Sequence, residues 1–410
     1  MINNVFKYCQ NWFRENILGL FADIKVSYLP PLMIYMAAGI SGLTSIVGTF
    51  YVKERLGLTA EFLAALGFWA GLPWALKMPV GHLIDLIWKW KGLLVYLGAS
   101  LIGVSLLIMI LLLGSPDEMA LIASPGSWFV IATLLAPVGY VLQDVVADAM
   151  TVEAVPRVND DGDPISSENR KSMHTTMQTL GRVAIIGGGI LVSVINVVVL
   201  KGVGELSAAG KADAYLFVYK IALIIPIVSV LGVVLANLLK KREVARLLQK
   251  GYMRDKVDQL IGQRDNQRPD INWWILGGGI GFSMISIGIG LADFVLGQEL
   301  IFVLSMVIVI FLISRIIEEL DHESQKILIG TAILIFVFRA MPTPGAGSTW
   351  WMIDELGFDQ QFLAKLSLIA SVLALFGMFI FRKFMAERSI TYVIGFLTVA
   401  GTILSIPIIG

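Results

Sequence analysis

Thiols, imidazoles and net charge are all scarce in this chain of 410 residues. It has one cysteine, Cys9, which excludes an internal disulfide and a cysteine-based metal cluster. Its three histidines, at positions 82, 174 and 322, are dispersed without the spacing of a metal site. The formal net charge is zero, so no global basic field would recruit nucleic acid. We therefore expect no metal and no nucleic acid partner.

Motifs of nucleotide binding and catalysis are also missing. No G-x-x-x-x-G-K-[ST] string occurs, and the glycine-rich stretches at 187–189 and 277–281 follow no predicted strand. Small residues in apolar helices usually serve helix packing instead. Because no metal cluster, Ser-His pair or cofactor loop stands in the apolar stretches, we expect neither a cofactor nor an enzyme.

Charged residues are few, and apolar residues dominate. Hydrophobic residues make up 57% of the chain and charged residues 15%, and the mean hydropathy is +0.79. These values lie outside the range of soluble domains and predict an all-α integral membrane protein. About 11 runs are long enough to cross a bilayer as helices: 29–50, 60–84, 92–114, 127–150, 175–200, 214–239, 272–295, 298–317, 326–347, 360–381 and 389–409.

Basic residues suggest how these helices are oriented. The 240–270 stretch holds nine Lys or Arg residues, which places it in the cytoplasm and, by counting helices, places the N terminus there too. We expect a multi-pass protein of the inner (cell) membrane. Its predicted parts are a cytoplasmic amphipathic segment (1–27), a six-helix bundle (28–240), a basic cytoplasmic linker (241–271), two additional helices (272–318) and a partial C-terminal bundle of three helices (325–410).

Two hairpin segments of the chain resemble each other. Residues 51–80 laid on 351–380 match at eight of thirty positions without a gap, and Leu56-Gly57 pairs with Leu356-Gly357. Eight helices separate the two copies, so both run in the same direction through the membrane. A parallel internal repeat of this kind relates the two halves of major facilitator transporters. The alternative is chance similarity between two apolar hairpins.

Three charged residues stand inside or beside apolar runs where charge is costly. Asp144 and Asp148 are four residues apart and share one face of the fourth helix. Lys77 lies about two turns inside the second run, so it needs a partner, and Asp144 is one candidate. We predict that Asp144 is a protonatable group in a pathway and that Asp148 assists it. Asp148 could instead simply cap the helix end in water.

Two arginines are also unsuited to a lipid-facing surface. Arg182 lies near the start of the fifth run and Arg339 near the middle of the ninth. Guanidinium groups are always charged and bind carboxylates with a fixed fork of donors. With Lys77 and with Gln178, one turn before Arg182, they form the predicted contacts for an anionic solute. Alternatively, each cation pairs with an acidic group to stabilise the bundle.

Several strings converge on one family. They are L-P-W-x-x-K-x-x-x-G-x-x-x-D at Leu72–Asp85, D-V-V-x-D-A at Asp144–Ala149, and E-L-G-F followed by F-L at Glu355–Leu363. The chain resembles the folate-biopterin transporters, a branch of the major facilitator superfamily. The resemblance implies a major-facilitator-like helical bundle that takes up pterins or folates with protons by symport. It also implies that Gly81 and Asp85 belong to a cytoplasmic gate.

The chain departs from this family at its second half. Two helices, at about 272–317, stand between the halves, and the second copy of the repeat is accompanied by only three helices. A second hypothesis is therefore a carrier-like membrane protein with a non-transport role, such as assembly of pigment-protein complexes. The embedded charges favour transport.

Overall fold

The computed structural model describes residues 14, 20, 24–157, 159, 165–257, 270–292, 295–317, 320–339 and 345–409. Over these residues the fold is all-helical, with no strand. Most of the segment 1–27 and residues 258–269 of the basic linker lie outside the described residues. The all-α prediction is confirmed.

Twelve helices carry the architecture of the described residues. They are α1 Val26–Leu56, α2 Ala60–Leu86, α3 Gly92–Gly114, α4 Pro125–Ala154, α5 Ser167–Val199, α6 Ala208–Gln249, α7 Trp273–Leu291, α8 Gly297–Ile317, α9 His322–Arg339, α10 Ala346–Asp354, α11 Gln360–Ile380 and α12 Ile390–Ile409. In the described ranges, nine of them (α1 to α8 and α11) are long and apolar enough to cross a membrane. The remaining two predicted runs, 326–347 and 389–409, contain α9 and α12.

Local sequence explains where these helices begin. Ser124, Ser166 and Ser207 precede α4, α5 and α6, and each side chain accepts a hydrogen bond from a backbone N–H in the first turn. The helices then continue because their apolar side chains are stable in lipid as well as in the core. Large apolar residues of α3, such as Leu97, Val104 and Leu111, are exposed, as expected of a helix that faces hydrocarbon.

The chain forms two compact units, of which the first comprises residues 1–272 and 349–375. In this unit α1 packs against α4, α5 and α6, while α3 packs along α4. The close crossings use glycine: Gly98 of α3 lies against Gly139 of α4, and Gly39 of α1 lies against Gly188 of α5. Without a side chain, the two backbones can approach and gain van der Waals contact in lipid.

The repeat is visible as two equivalent turns within the first unit. Gly57, after α1, has φ +61° and Gly357, after α10, has φ +66°, a left-handed conformation that favours glycine. In both turns the next N–H bonds back six residues, from Leu58 to Val52 and from Phe358 to Met352. Thr59 and Asp359 then cap the following helices by accepting from the N–H of Phe62 and Phe362. The two copies therefore share a helix-turn-helix geometry.

The second unit comprises residues 273–348 and 376–410. Within it α7 packs on α8, and α9 packs on α12. Trp274 of α7 meets Phe311 of α8 edge to face, with ring centroids 5.5 Å apart. The Arg315 guanidinium lies over both rings. A cation on an aromatic face is a stable arrangement for the end of a membrane helix.

Candidate functional site

The second helix is bent at the point where its lysine begins a new segment. Pro73 has no N–H to donate, and the bond from the Leu76 N–H reaches back only to the Pro73 carbonyl, 3.1 Å away. The regular helix resumes at Lys77, the first residue after the break. The break thus places Lys77 at the start of a new helical segment, and its ammonium contacts α4.

A compact cluster of charges forms where α2 meets α4. The Lys77 Nζ atom lies 2.6 Å from Oδ2 of Asp144 and 2.9 Å from Oδ2 of Asp148. Tyr35 of α1 donates its hydroxyl to Oδ1 of Asp148 at 2.5 Å. The predicted partner of Lys77 is confirmed as Asp144, and the i, i+4 spacing places both carboxylates on one face. We call these four residues the charge cluster.

The members of the charge cluster differ in exposure. The side chain of Asp144 is 14% exposed, against 42% for Lys77 and 45% for Asp148. One ammonium shared by two ionised carboxylates leaves an excess of one negative charge. Charges in an apolar bundle are costly, so a bound proton or an incoming cationic group would stabilise this arrangement.

Helix α5 borders the cluster on the side of Tyr35. Gly181 faces the Tyr35 ring so closely that an added Cβ would lie 2.9 Å from its Cε2 atom. Arg182 follows immediately and is exposed. Its positive charge is close enough to the Tyr35 hydroxyl to interact with it. Gln178, one helical turn earlier, is also exposed. Among the described residues, neither Gln178 nor Arg182 forms a hydrogen bond or ion pair through its side chain.

The other predicted site residues lie apart from the cluster. Gly81 of α2 approaches α4, where an added Cβ would stand 3.7 Å from Val145. Asp85, one turn further, is exposed, and beside it His82 accepts a hydrogen bond from the Asn272 N–H at 2.9 Å. Arg339 ends α9 in the second unit, and its side chain lies outside the described residues. Roles in gating and substrate contact remain predictions for these residues.

Sequence reasoning missed two polar elements of the first unit. One is Tyr35, because a tyrosine in an apolar run is usually an interfacial or core residue and carries no charge that demands a partner. The other is a buried chain in which the Ser229 hydroxyl donates to Gln143 Oε1 at 2.9 Å and Gln143 Nε2 donates to the Val95 carbonyl at 3.5 Å. A buried glutamine beside the two aspartates, in Q-D-V-V-A-D, is the signal that could have indicated it.

We expect Tyr35→Phe to weaken the cluster measurably. The change removes a hydrogen bond to a charged acceptor, which contributes about 1.5–3 kcal/mol where fully buried. Because Asp148 is partly exposed, we expect a loss of about 1 kcal/mol, which lowers the melting temperature by about 2–4 °C. Thermal melting of the purified protein measures it. Tyr392→Phe, which removes an exposed hydroxyl in α12, is the control, and equal melting of both variants would contradict the prediction.

An ion pair joins the two copies of the repeat at the end of the bundle away from the basic linker. Lys53 Nζ lies 2.6 Å from Oδ2 of Asp354 and 5.0 Å from the centre of the Trp350 ring. Nearby, Lys211 pairs with Glu54 at 3.0 Å. Asp354 corresponds in the repeat to position 54, which is next to Lys53. The ion pair therefore joins the two equivalent turns. We call Lys53, Trp350 and Asp354 the clasp.

Reversing one charge of the clasp should destabilise the first unit, and reversing both should restore it. Asp354→Lys opposes two cations, and because Asp354 is 53% exposed we expect a cost of about 0.5–1 kcal/mol. The double variant Lys53→Asp with Asp354→Lys should recover most of that loss. Thermal melting of the set measures the coupling, with Glu61→Lys on exposed α2 surface as control. A double variant that melts below both single variants would refute the pairing.

Nothing in the described residues points to a metal. Across those ranges, no group of three or more His, Cys, Asp or Glu is arranged to hold an ion. The charge cluster has only two carboxylates, and an ammonium already occupies the position between them.

Comparison with known proteins gives the family. The model of the BT1 family matches residues 38–409, which include both copies of the repeat and the whole charge cluster except Tyr35. The chain belongs to the BT1 family. BT1 proteins are transporters related to the major facilitator superfamily, so this BT1 protein is a multi-pass membrane protein of a transporter family.

A curated relative supports the same assignment. The chain is similar to a folate-biopterin transporter of Synechocystis sp. (strain ATCC 27184 / PCC 6803 / Kazusa), with 20% identity over 399 residues. The similarity covers 97% of this chain and 62% of the relative, so the chain spans less than two thirds of that protein's length. The resemblance of the sequence strings to folate-biopterin transporters is confirmed.

Proposed function

We propose that this BT1 protein is a secondary active carrier that takes up a folate-like or pterin-like anion together with protons by alternating access. The observation that carries the proposal is the charge cluster, in which Lys77 is shared by Asp144 and Asp148 inside an apolar bundle. Membership in a transporter family and the similarity to a folate-biopterin transporter of Synechocystis support it.

The cluster suggests how a proton and an anion would be coupled. When Asp144 is ionised, Lys77 is held between two carboxylates, which satisfies its charge. Protonation of Asp144 removes one attraction, so the ammonium becomes available to a carboxylate of the solute. A proton therefore favours binding of an anion, and the same linkage requires the anion to favour binding of the proton.

The remaining predicted residues take supporting roles in this proposal. Arg182 and Gln178 are exposed on the helix that borders Tyr35 and would contact the solute, and we assign Arg339 the same role in the second unit. A guanidinium and an amide offer donors that match carboxylates and the polar edge of a pterin. Gly81 and Asp85 would act in the gate at the basic end of the bundle. That end faces the cytoplasm in this proposal, as does the N terminus.

Uptake into proteoliposomes tests the proposed function. Purified chain would be reconstituted and given radiolabelled folate or biopterin, with and without an imposed inward proton gradient. We expect the labelled solute to accumulate above its external concentration only when the gradient is imposed. An excess of the same solute without label should compete with this uptake. Absence of uptake by protein that melts cooperatively would overturn the proposal and favour the non-transport role in assembly.

A further inference from the structure

A large cavity lies at the basic end of the first unit. Its volume is about 990 Å³, and its walls come from the start of α1, the turn between α2 and α3, the end of α4 and the end of α6. On α4 the lining residues are Val146, Met150, Val152, Glu153 and Ala154. Val146 and Met150 are each two positions from Asp144 or Asp148, which is about 200° around a helix, so at their level the cavity lies on the face of α4 opposite the charge cluster.

The cavity wall is strongly cationic. Seven basic and two acidic side chains line it, an excess of five positive charges: Lys25, Lys89, Lys91, Arg157, Lys240, Arg242 and Arg246 against Glu153 and Glu243. The two carboxylates pair with Lys91 at 2.8 Å and with Arg246 at 2.9 Å. Among the described lining residues, basic side chains thus outnumber acidic ones. They come from four separate segments of the chain and converge on one space, and a cleft lined mainly by one sign of charge attracts ions of the opposite sign.

Aromatic residues stand among these cations. Trp88, Trp90 and Tyr96 also line the cavity, and the Lys91 ammonium lies 4.2 Å from the centre of the Trp88 ring. Tryptophan and tyrosine side chains are typical of the level of lipid headgroups, where one part of the ring is in an apolar and the other in a wet environment. The cavity thus combines a cationic wall with an interfacial rim, which is where basic pockets between membrane helices meet phosphate-bearing headgroups.

We propose that this cavity binds a phosphate-bearing anion, supplied by the headgroup of an anionic phospholipid or by a soluble phosphate ester. Arginine and lysine side chains converging from α6 and from the turn after α2 are suited to phosphate oxygens. Lys89, in the turn after α2, and Arg242, on α6, both line the cavity and are exposed, and neither forms an ion pair with a residue that the structure describes. They are the residues whose removal should weaken binding with least effect on the fold.

Lipid retention tests the first source. The full chain would be purified from mixed phosphatidylcholine and radiolabelled phosphatidylglycerol, and the enrichment of phosphatidylglycerol on the protein measured. Each cation at a membrane surface contributes about fivefold to the affinity for an anionic lipid. The double variant Lys89→Gln with Arg242→Gln should therefore lose about 25-fold of the enrichment. The matched control, Lys241→Gln with Arg254→Gln, removes two exposed cations that do not line the cavity and should keep it.

Glycerol 1-phosphate tests the second source. In nanodiscs of phosphatidylcholine alone, a soluble ester that binds the folded chain raises the melting temperature of the native chain with the logarithm of its concentration above Kd, and should not raise that of the double variant. Retained phosphatidylglycerol without this shift identifies a lipid headgroup, and the shift without retention identifies a soluble ester; either outcome supports the site. If both responses are the same in the native chain, the double variant and the control, the proposal is overturned. The single variants Lys89→Gln and Arg242→Gln give the same comparison if the double variant does not fold.

Discussion

Asp144→Asn is expected to abolish proton-driven accumulation by this BT1 protein while leaving exchange of solute intact. A carrier coupled to one proton can sustain about a tenfold concentration ratio for each unit of an imposed pH gradient, because one pH unit corresponds to about 1.4 kcal/mol. Asparagine has the shape of a protonated aspartate and cannot release a proton. We therefore expect the accumulation ratio to fall from about ten to about one per pH unit.

The geometry explains why this substitution should separate coupling from binding. Asp144 is the least exposed carboxylate of the cluster, and its Oδ2 atom is the nearest partner of the Lys77 ammonium. Asparagine at this position still accepts a hydrogen bond from Lys77 through its amide oxygen. The helices should therefore keep their packing, and Lys77 stays available to an anion. Exchange of labelled for unlabelled solute needs no net proton movement, so it should persist.

The measurement is gradient-driven uptake beside counterflow in the same proteoliposome preparation. Asp117→Asn, an exposed acid-to-amide change in the short helix between α3 and α4, is the matched control and should behave as the native chain. Asp148→Asn should have an intermediate effect because Asp148 is more exposed and retains Tyr35 as a donor. Full gradient-driven accumulation by Asp144→Asn would show that the coupling proton is carried elsewhere.

The sequence predicts those contacts that a cost in free energy demands. A lysine within an apolar run must find a carboxylate, so the contact of Lys77 with Asp144 follows from the sequence, and the structure confirms it. The hydroxyl of Tyr35 has no such requirement, since an aromatic ring is stable in the core and in lipid alike. Its hydrogen bond to Asp148 depends on how α1 and α4 rotate against each other, which hydropathy does not determine.

Helix ends show the same limit. The run predicted at 92–114 coincides with α3, whose ends are both set by apolar sequence. By contrast α5 begins at Ser167, eight residues before its apolar run, and α6 continues to Gln249, ten residues past its own. Both extensions are polar helix beyond the hydrocarbon, held by a serine cap in α5 and by helix-forming Lys, Arg and Leu residues in α6. Hydropathy measures the thickness of the membrane and not the length of the helix.

Glycine positions are the third case. The string shared by 56–57 and 356–357 predicts two equivalent turns, and both glycines have positive φ, because the pattern repeats a local requirement of the backbone. The crossing of Gly98 with Gly139 could not be predicted in the same way. Apolar helices contain many small residues, and only the three-dimensional packing decides which of them meet a partner backbone.

Replacing Gly98 with valine is expected to destabilise the first unit strongly. A Cβ at Gly98 would lie 2.6 Å from the carbonyl oxygen of Gly139 and 2.9 Å from Cγ of Gln143. Overpacking usually costs about 1–3 kcal/mol where side chains can adjust. Here the obstacle is backbone, so α3 must move away from α4, and we expect a cost at or above the upper end of that range.

Gly103→Val provides the matched control, because it makes the same substitution in the same helix where an added Cβ meets nothing within 4 Å. For a chain of this size, a loss of about 3 kcal/mol corresponds to a fall of about 6–12 °C in melting temperature. Melting and monodispersity of the two purified variants measure the difference. Moving α3 would also break the bond from Gln143 Nε2 to the Val95 carbonyl, so this variant loses a buried polar contact as well as packing. Equal melting of the two variants would mean that α3 and α4 do not cross at this point. The position assigned to Asp144, five residues beyond Gly139 on α4, would then have to be revised.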